Sequence, residues 1–279
     1  MSCLLCVFGD ILMNKHCKQD GQCGLYLDAA TCRNLLKRFG PSLALWRAAE
    51  IAILRDVTYK HPLMDVGCGD GLVTAHVLPY ADFGVDPNEQ ALQHAAKLHI
   101  YGRLEALPVQ QLPLPDGSIT MVLSNSVFEH ISEIDTVLAS LARILSMGGR
   151  LVFTTPTDTF STWLFLPVPA YARWRNRALN HLNLWSVQEW KRHLEAVGLE
   201  VELVRPYLRR EQVWLWDALE LLQLVWIGTR RLFSLFWKRL PETWLDTMAQ
   251  RLSTWDMSSK YDGGGRLIVA RKVGCIKEQ

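Results

Sequence analysis

The sequence predicts an α/β protein: an open, doubly wound, mainly parallel sheet that carries helical insertions. Two observations lead to that prediction. Short apolar runs alternate with amphipathic helical stretches from Pro62 onward, which is the pattern of parallel strands joined by crossover helices. A three-glycine turn, Asp65-Val66-Gly67-Cys68-Gly69-Asp70-Gly71, follows the first apolar run, and open α/β sheets bind ligands at such strand ends.

Residues 1–40 show little periodicity and read as a mobile, cysteine-rich segment. Residues 42–54 read as a helix behind Pro41, with Ser42 as its cap. PLMDV (62–66) is a strand and GLVTAHVL (71–78) a helix stopped near Pro79. DFGVD (82–86) is the second strand and PNEQALQHAAKLH (87–99) the second helix. RLEAL (103–107) is a weak strand and ITMVLS (119–124) a clear one. Residues 127–146 are helical, ending at Gly148-Gly149, and RLVFTTP (150–156) is the next strand. SVQEWKRHLEAVG (186–198) is a helix capped by Ser186 and ended by Gly198. LEVELVRPY (199–207) and GRLIVARK (265–272) are the last strands. Two Trp-rich stretches interrupt the alternation, 157–185 and 207–262. The expected organisation is therefore a core of 41–206 plus 263–273, with 157–185 as a lid and 207–262 as a helical insertion.

Composition narrows the function classes. A formal net charge of +2 gives no basic field for nucleic acid. The seven cysteines, an odd number, and the lack of a secretory leader at the start predict a reducing, cytoplasmic setting. Cys3-x-x-Cys6 has no second pair at finger-like spacing, so no metal is expected.

A strand, a glycine loop and a helix form a nucleotide-type site because glycine allows a tight turn and close ligand approach, and the helix N-terminus offers unpaired N–H groups. The pattern of Gly67, Gly69 and Gly71 is neither the dinucleotide fingerprint G-x-G-x-x-G nor a phosphate loop. Asp86 ends the second strand about 20 residues downstream, where a carboxylate accepts hydrogen bonds from ribose hydroxyls. Asp86-Pro87-Asn88-Glu89 also has the form of a capping box.

LMDVGCGDG, FGVDPNEQAL, LPLPDGSITMVLSNSVFEHI and ILSMGGRLVFTTP, in that order, resemble the successive motifs of class I S-adenosylmethionine-dependent methyltransferases of the type 11, small-molecule group. The resemblance covers 62–156 continuously, then 186–206 and the last strand. It implies a Rossmann-like sheet with an antiparallel last strand, S-adenosyl-L-methionine as cofactor and a small-molecule acceptor. It also implies site roles. Asp65, Gly67, Cys68, Gly69 and Gly71 would hold the methionine end, Asp86 the ribose, and Asn125 and Ser126 the region of the transferable methyl. Pro108 stands where the group often has an acid near the adenine, so Val109 is left to offer a backbone contact, with Glu105 the nearest acid.

Methyl transfer from a sulfonium needs positioning, and a hydroxyl acceptor also needs a base. His130, His181 and Glu129 are the candidates, with a structural hydrogen bond the competing role for His130. Arg47 and Glu50 form a surface pair, or Arg47 reaches the cofactor carboxylate. Residues 213–240 combine Trp and Leu with a stripe of Asp217, Glu220 and Gln223 and with Arg230, Arg231, Lys238 and Arg239. The segment is too interrupted by charge for a membrane span. Two readings stand: a subdomain packed on the core, or an interfacial element on anionic membrane that serves an apolar or lipid-linked acceptor. Ten of the eleven tryptophans lie after residue 160. The rival functions are an oxidoreductase using a nicotinamide cofactor and a binding scaffold without chemistry.

Overall fold

In the computed structural model, described for residues 7–8, 11–12, 24–224, 226–227, 230–237 and 239–274, seven strands form one sheet. These are β1 (Leu63–Val66), β2 (Ala81–Val85), β3 (Tyr101–Glu105), β4 (Ile119–Asn125), β5 (Leu145–Pro156), β6 (Leu199–Tyr207) and β7 (Gly265–Lys272). Their order across the sheet is β3-β2-β1-β4-β5-β7-β6. All neighbours are parallel except at β7, which runs antiparallel to both β5 and β6. The predicted doubly wound sheet with an antiparallel last strand is therefore present.

The central strands are apolar on both faces, so successive side chains enter different cores. Leu63, Met121, Leu123, Val152, Leu267 and Val269 join one cluster, with α1 (Ala29–Phe39), α2 (Pro41–Arg55), α8 (Arg210–Gln223) and α10 (Glu242–Ser253). Met64, Val122, Leu151, Phe153, Ile268 and Ala270 join the other, under α5 (Ile134–Ile144) and α7 (Val187–Ala196). The helices α3 (Leu72–Val77), α4 (Glu89–Ala95) and α6 (Pro169–Ala178) follow β1, β2 and β5 in the chain, and the short α9 (Leu232–Trp237) precedes α10.

Several local expectations change. Residues 29–39, expected within a mobile segment, form α1, capped by Asp28 through Thr31 N and buried at Cys32, Leu35 and Leu36. Ser42 is not a cap: Pro41 is the first residue of α2, and the Ser42 hydroxyl donates to Glu220 Oε1 at 2.5 Å. The stretch after β4 is not one helix. A 3₁₀ turn at Phe128–His130 precedes α5, and β5 begins at Leu145, ahead of the glycine pair. Ser186 does close a capping box with Glu189, and Gly198 takes φ +77°. Cys3, Cys6, Cys17, Cys23, Cys275 and Lys238 lie outside the described residues, as do the side chains of Arg230 and Arg231.

The Asp217–Glu220–Gln223 stripe on α8 faces inward. Asp217 is fully buried and accepts from Phe165 N at 2.9 Å, Tyr171 Oη at 2.6 Å and Arg175 Nε at 2.7 Å. Glu220 and Gln223 both bond Ser42 of α2. The stripe joins the second insertion to the 157–185 segment and to α2.

Candidate functional site

The sheet reverses its winding between β1 and β4, and the crevice at their C-terminal ends holds the predicted residues. Gly67 (φ +70°) and Cys68 donate their N–H groups to Val85 O at 2.8 and 3.2 Å, which ties the loop to β2. A Cβ on Gly67 would run into the Val127 side chain, whereas beside Gly69 (φ +54°) nothing lies within 4 Å. The backbone at Gly69 is therefore open to close approach. At the N-terminus of α3, a helix of 6 residues, Asp70 Oδ1 accepts from Leu72 N at 3.2 Å.

Asp86 does not cap the second helix. Asn88 is the cap, accepting from Gln90 N and Ala91 N. Asp86 instead accepts from Gly69 N at 2.9 Å and Asn88 N at 2.8 Å, one bond to each carboxylate oxygen. This leaves lone pairs available to a ligand. It lines a cavity of about 450 Å³ with Pro108, Val109, Gln110 and Ser126. Glu105 is not on that wall and pairs with Arg103. Gln110, which the sequence reading missed, supplies an amide there.

Asp65 is 2% exposed, and its Oδ2 accepts from Thr74 Oγ1 at 2.6 Å and Tyr101 Oη at 2.7 Å. Burial pushes its carboxyl up to about 6 against those hydrogen bonds. It lines a second cavity, of about 180 Å³, with Cys68, Gly69, Arg47 and Asn125. Burial holds the Cys68 thiol protonated, so it serves as wall.

At the end of β4, Asn125 Nδ2 donates to Glu50 Oε2 at 3.1 Å, and Asn125 Oδ1 accepts from Thr154 Oγ1 at 2.7 Å. Ser126 takes φ +51°, and its hydroxyl donates to Glu50 Oε1. Glu50, fully buried, also accepts from Trp46 Nε1 at 2.9 Å and Arg47 Nη1 at 2.6 Å. The Arg47–Glu50 pair is thus a buried hub on the crevice wall and not a surface pair. The one sequence signal for it was a lone acid inside an otherwise apolar helix.

His130 and His181, distant in sequence, lie with ring centroids 5.5 Å apart. His130 Nδ1 lies 3.0 Å from Asn180 O, the structural bond weighed for it. His181 is held down to about 4, mainly by burial. Both line a third cavity, of about 200 Å³, with Trp46, Glu129, Phe160 and Trp216. Ser126 lines all three cavities, and Arg47 the second and third. No group of three or more acids, histidines and cysteines suited to a metal occurs among the described residues.

The methyltransferase domain family matches residues 64–153, the segment that contributes the glycine loop, Asp86, Ser126 and Glu129. This segment is a class I S-adenosylmethionine-dependent methyltransferase domain. A probable S-adenosylmethionine-dependent methyltransferase of Mycolicibacterium smegmatis is 27% identical over 143 residues, 50% of this chain and 52% of the relative. The 27-O-demethylrifamycin SV methyltransferase of Amycolatopsis mediterranei is 28% identical over 154 residues, 50% and 54% of the two chains. The chain spans about half the length of these curated relatives. In fold, the chain is similar to a solved S-adenosylmethionine-dependent methyltransferase of Thermotoga maritima described as a possible histamine N-methyltransferase. That likeness has a TM-score of 0.54 at 15% identity and covers 86% of this chain and 99% of the other. The cofactor of the methyltransferase domain is S-adenosylmethionine. Its crevice fits that molecule: open backbone at Gly69, a carboxylate with spare lone pairs at Asp86, and an apolar slot at Val109.

Proposed function

We propose that the whole chain is a methyltransferase that moves the methyl of S-adenosylmethionine to a small, largely apolar acceptor. The observation behind this is the set of three cavities that share Ser126 as a wall residue. Asp86 holds the ribose, Val109 and Gln110 flank the adenine, and Asp65, the glycine loop and Arg47 surround the methionine end. The third cavity takes the acceptor. The cofactor, when bound, supplies a methyl already activated by a positive sulfur. The chain's residues position the acceptor, which is proximity catalysis. The 157–185 segment serves as lid, since Phe160, Leu179 and His181 wall the third cavity. The Amycolatopsis relative, a methyltransferase by name of a demethylated rifamycin, supports a small organic acceptor.

A second reading concerns place. The lid and α8 also expose Leu166, Val168, Trp174 and Trp214, the last with its ring centroid 4.8 Å from that of Phe165. Arg173 and Arg177 flank Trp174 on α6. An apolar surface with basic neighbours favours an anionic membrane interface as the source of a lipid-linked acceptor.

The test of function is binding and transfer together. S-adenosylmethionine should raise the melting temperature, and Asp86→Ala should weaken its binding by about 10- to 100-fold, the worth of one or two charge-assisted hydrogen bonds. Methyl-labelled S-adenosylmethionine should label an organic-phase product in a cell extract. Stabilisation by NADH in place of S-adenosylmethionine would overturn the reading.

A further inference from the structure

Three buried polar atoms around the third cavity have no hydrogen-bond partner: Glu129 Oε2, His181 Nδ1 and Trp216 Nε1. Buried polar groups in folded proteins are almost always paired, so three unpaired atoms on residues that line one cavity single it out as a place for a ligand's polar atoms. The same cavity has an aromatic wall. Trp46, Phe160 and Trp216 lie with ring centroids 5.1–5.6 Å from one another.

We propose that the acceptor is an apolar hydroxyl compound, that its oxygen is the atom methylated, and that Glu129 takes the hydroxyl proton. This rests on the methyltransferase reading above. Glu129 is held in place by its own backbone: its carbonyl accepts from Leu182 N at 2.7 Å and Asn183 N at 3.1 Å, which ties the 157–185 segment to it. Its side chain is 1% exposed, and Oε1 lies 3.7 Å from His130 Nε2. The two buried acids of the site are thereby divided. Glu50 has both oxygens occupied by donors, whereas Glu129 keeps one free. Trp216 Nε1–H is left to donate to a second oxygen of the acceptor.

In the step, the acceptor O–H bond breaks and its proton goes to Glu129. A new carbon–oxygen bond forms as the carbon–sulfur bond of the sulfonium breaks, and the electron pair stays on sulfur as a neutral thioether. The carboxylate becomes a carboxylic acid, so charge balances.

The groups facing Glu129 are Arg47 and Glu50 from α2, Tyr207 from β6, His130 beside it and His181 from the lid. Burial, with Glu50 nearby, pushes the Glu129 carboxyl up to about 8. The base form therefore accumulates as pH rises towards and past 8.

The test uses the full chain, methyl-labelled S-adenosylmethionine and the organic extract of the cells that make the protein. The wild type should give a product whose label is released as methyl iodide by hydriodic acid, as an ether requires. Its kcat/KM should rise with pH and level off above about 8. Glu129→Gln should lower kcat by about 10²- to 10⁴-fold, remove that rise and keep the thermal shift with S-adenosylmethionine. Glu129→Asp should retain part of the rate. A readout without cofactor accompanies these. The melting temperature of Glu129→Gln relative to wild type should climb between pH 4.5 and about 8 and then hold, because in that window the acid ionises in the unfolded wild type while it stays protonated in the native state. Wild-type transfer with Glu129→Gln undiminished overturns the Glu129 assignment alone. Label resistant to hydriodic acid overturns the oxygen acceptor. Cofactor binding with no transfer by the wild type sinks the methyltransferase reading and this inference with it.

Discussion

Asp65 and Asp86 flank the same glycine loop yet sit in different surroundings. Asp86 is partly open, bonded to Gly69 N and Asn88 N, and free to meet a ligand. Asp65 is buried, and its carboxyl is raised to about 6 from an ordinary 3.8. A raised acid binds more protons in the native state than in the unfolded chain between those two values. Native stability therefore falls as pH rises through that window and is flat above it. Asp65→Asn keeps the acceptor for Thr74 and Tyr101 and has no ionisation. Its melting temperature relative to wild type should rise from about pH 4 to about pH 6 and then hold constant. A difference that stays flat across that window would contradict the assigned burial. At this scale the sequence showed which residues border the loop. It did not show that Asp86 bonds Gly69 N or that Thr74 and Tyr101 clamp Asp65, because those contacts join separate elements.

Among elements, the joint between the two insertions is the least legible in the sequence and the most demanding physically. Arg175 on α6 and Asp217 on α8 are 3% and 0% exposed, and their ion pair at 2.7 Å is supported by Tyr171 Oη and Phe165 N. Arg175 also lies over Trp216, 5.3 Å from its ring centroid. Breaking such a pair leaves a buried charge, at a cost of about 3–5 kcal/mol. Asp217→Ala should lose that much stability in denaturant unfolding and loosen the 157–185 segment. The double change Arg175→Met with Asp217→Leu should recover most of the loss, because it removes both charges from the apolar site. A double variant no more stable than Asp217→Ala would show that the pair is not the joint. The helical spacing of Asp217, Glu220 and Gln223 was visible beforehand and was read as a polar stripe. Which way it faces is set by Ser42 and Arg175, far away in the chain.

For the whole molecule, the open question is what the apolar surface of the lid and α8 meets. No helix among the described residues is long and apolar enough to cross a membrane. If the surface serves an anionic interface, the protein should float with phosphatidylserine-containing vesicles, less so at high salt. Trp214→Ser with Trp174→Ser should lower the floated fraction several-fold. Recovery of the wild type wholly away from vesicles at low salt would leave the exposed residues as plain surface. Sequence alone determined the sheet and the place of the glycine loop and Asp86 at its strand ends, because alternating apolar runs, glycine punctuation and an acid after β2 are local signals repeated along the chain. Strand bounds at 199–207 and 265–272 were legible for the same reason. Tertiary structure alone decided the third cavity, proposed above for the acceptor. Arg47 from α2, Glu129 after β4, His181 from the 157–185 segment and Trp216 from α8 come from four separate stretches. They share a cavity only because the two insertions fold back over the sheet end, and nothing periodic in the chain encodes that meeting.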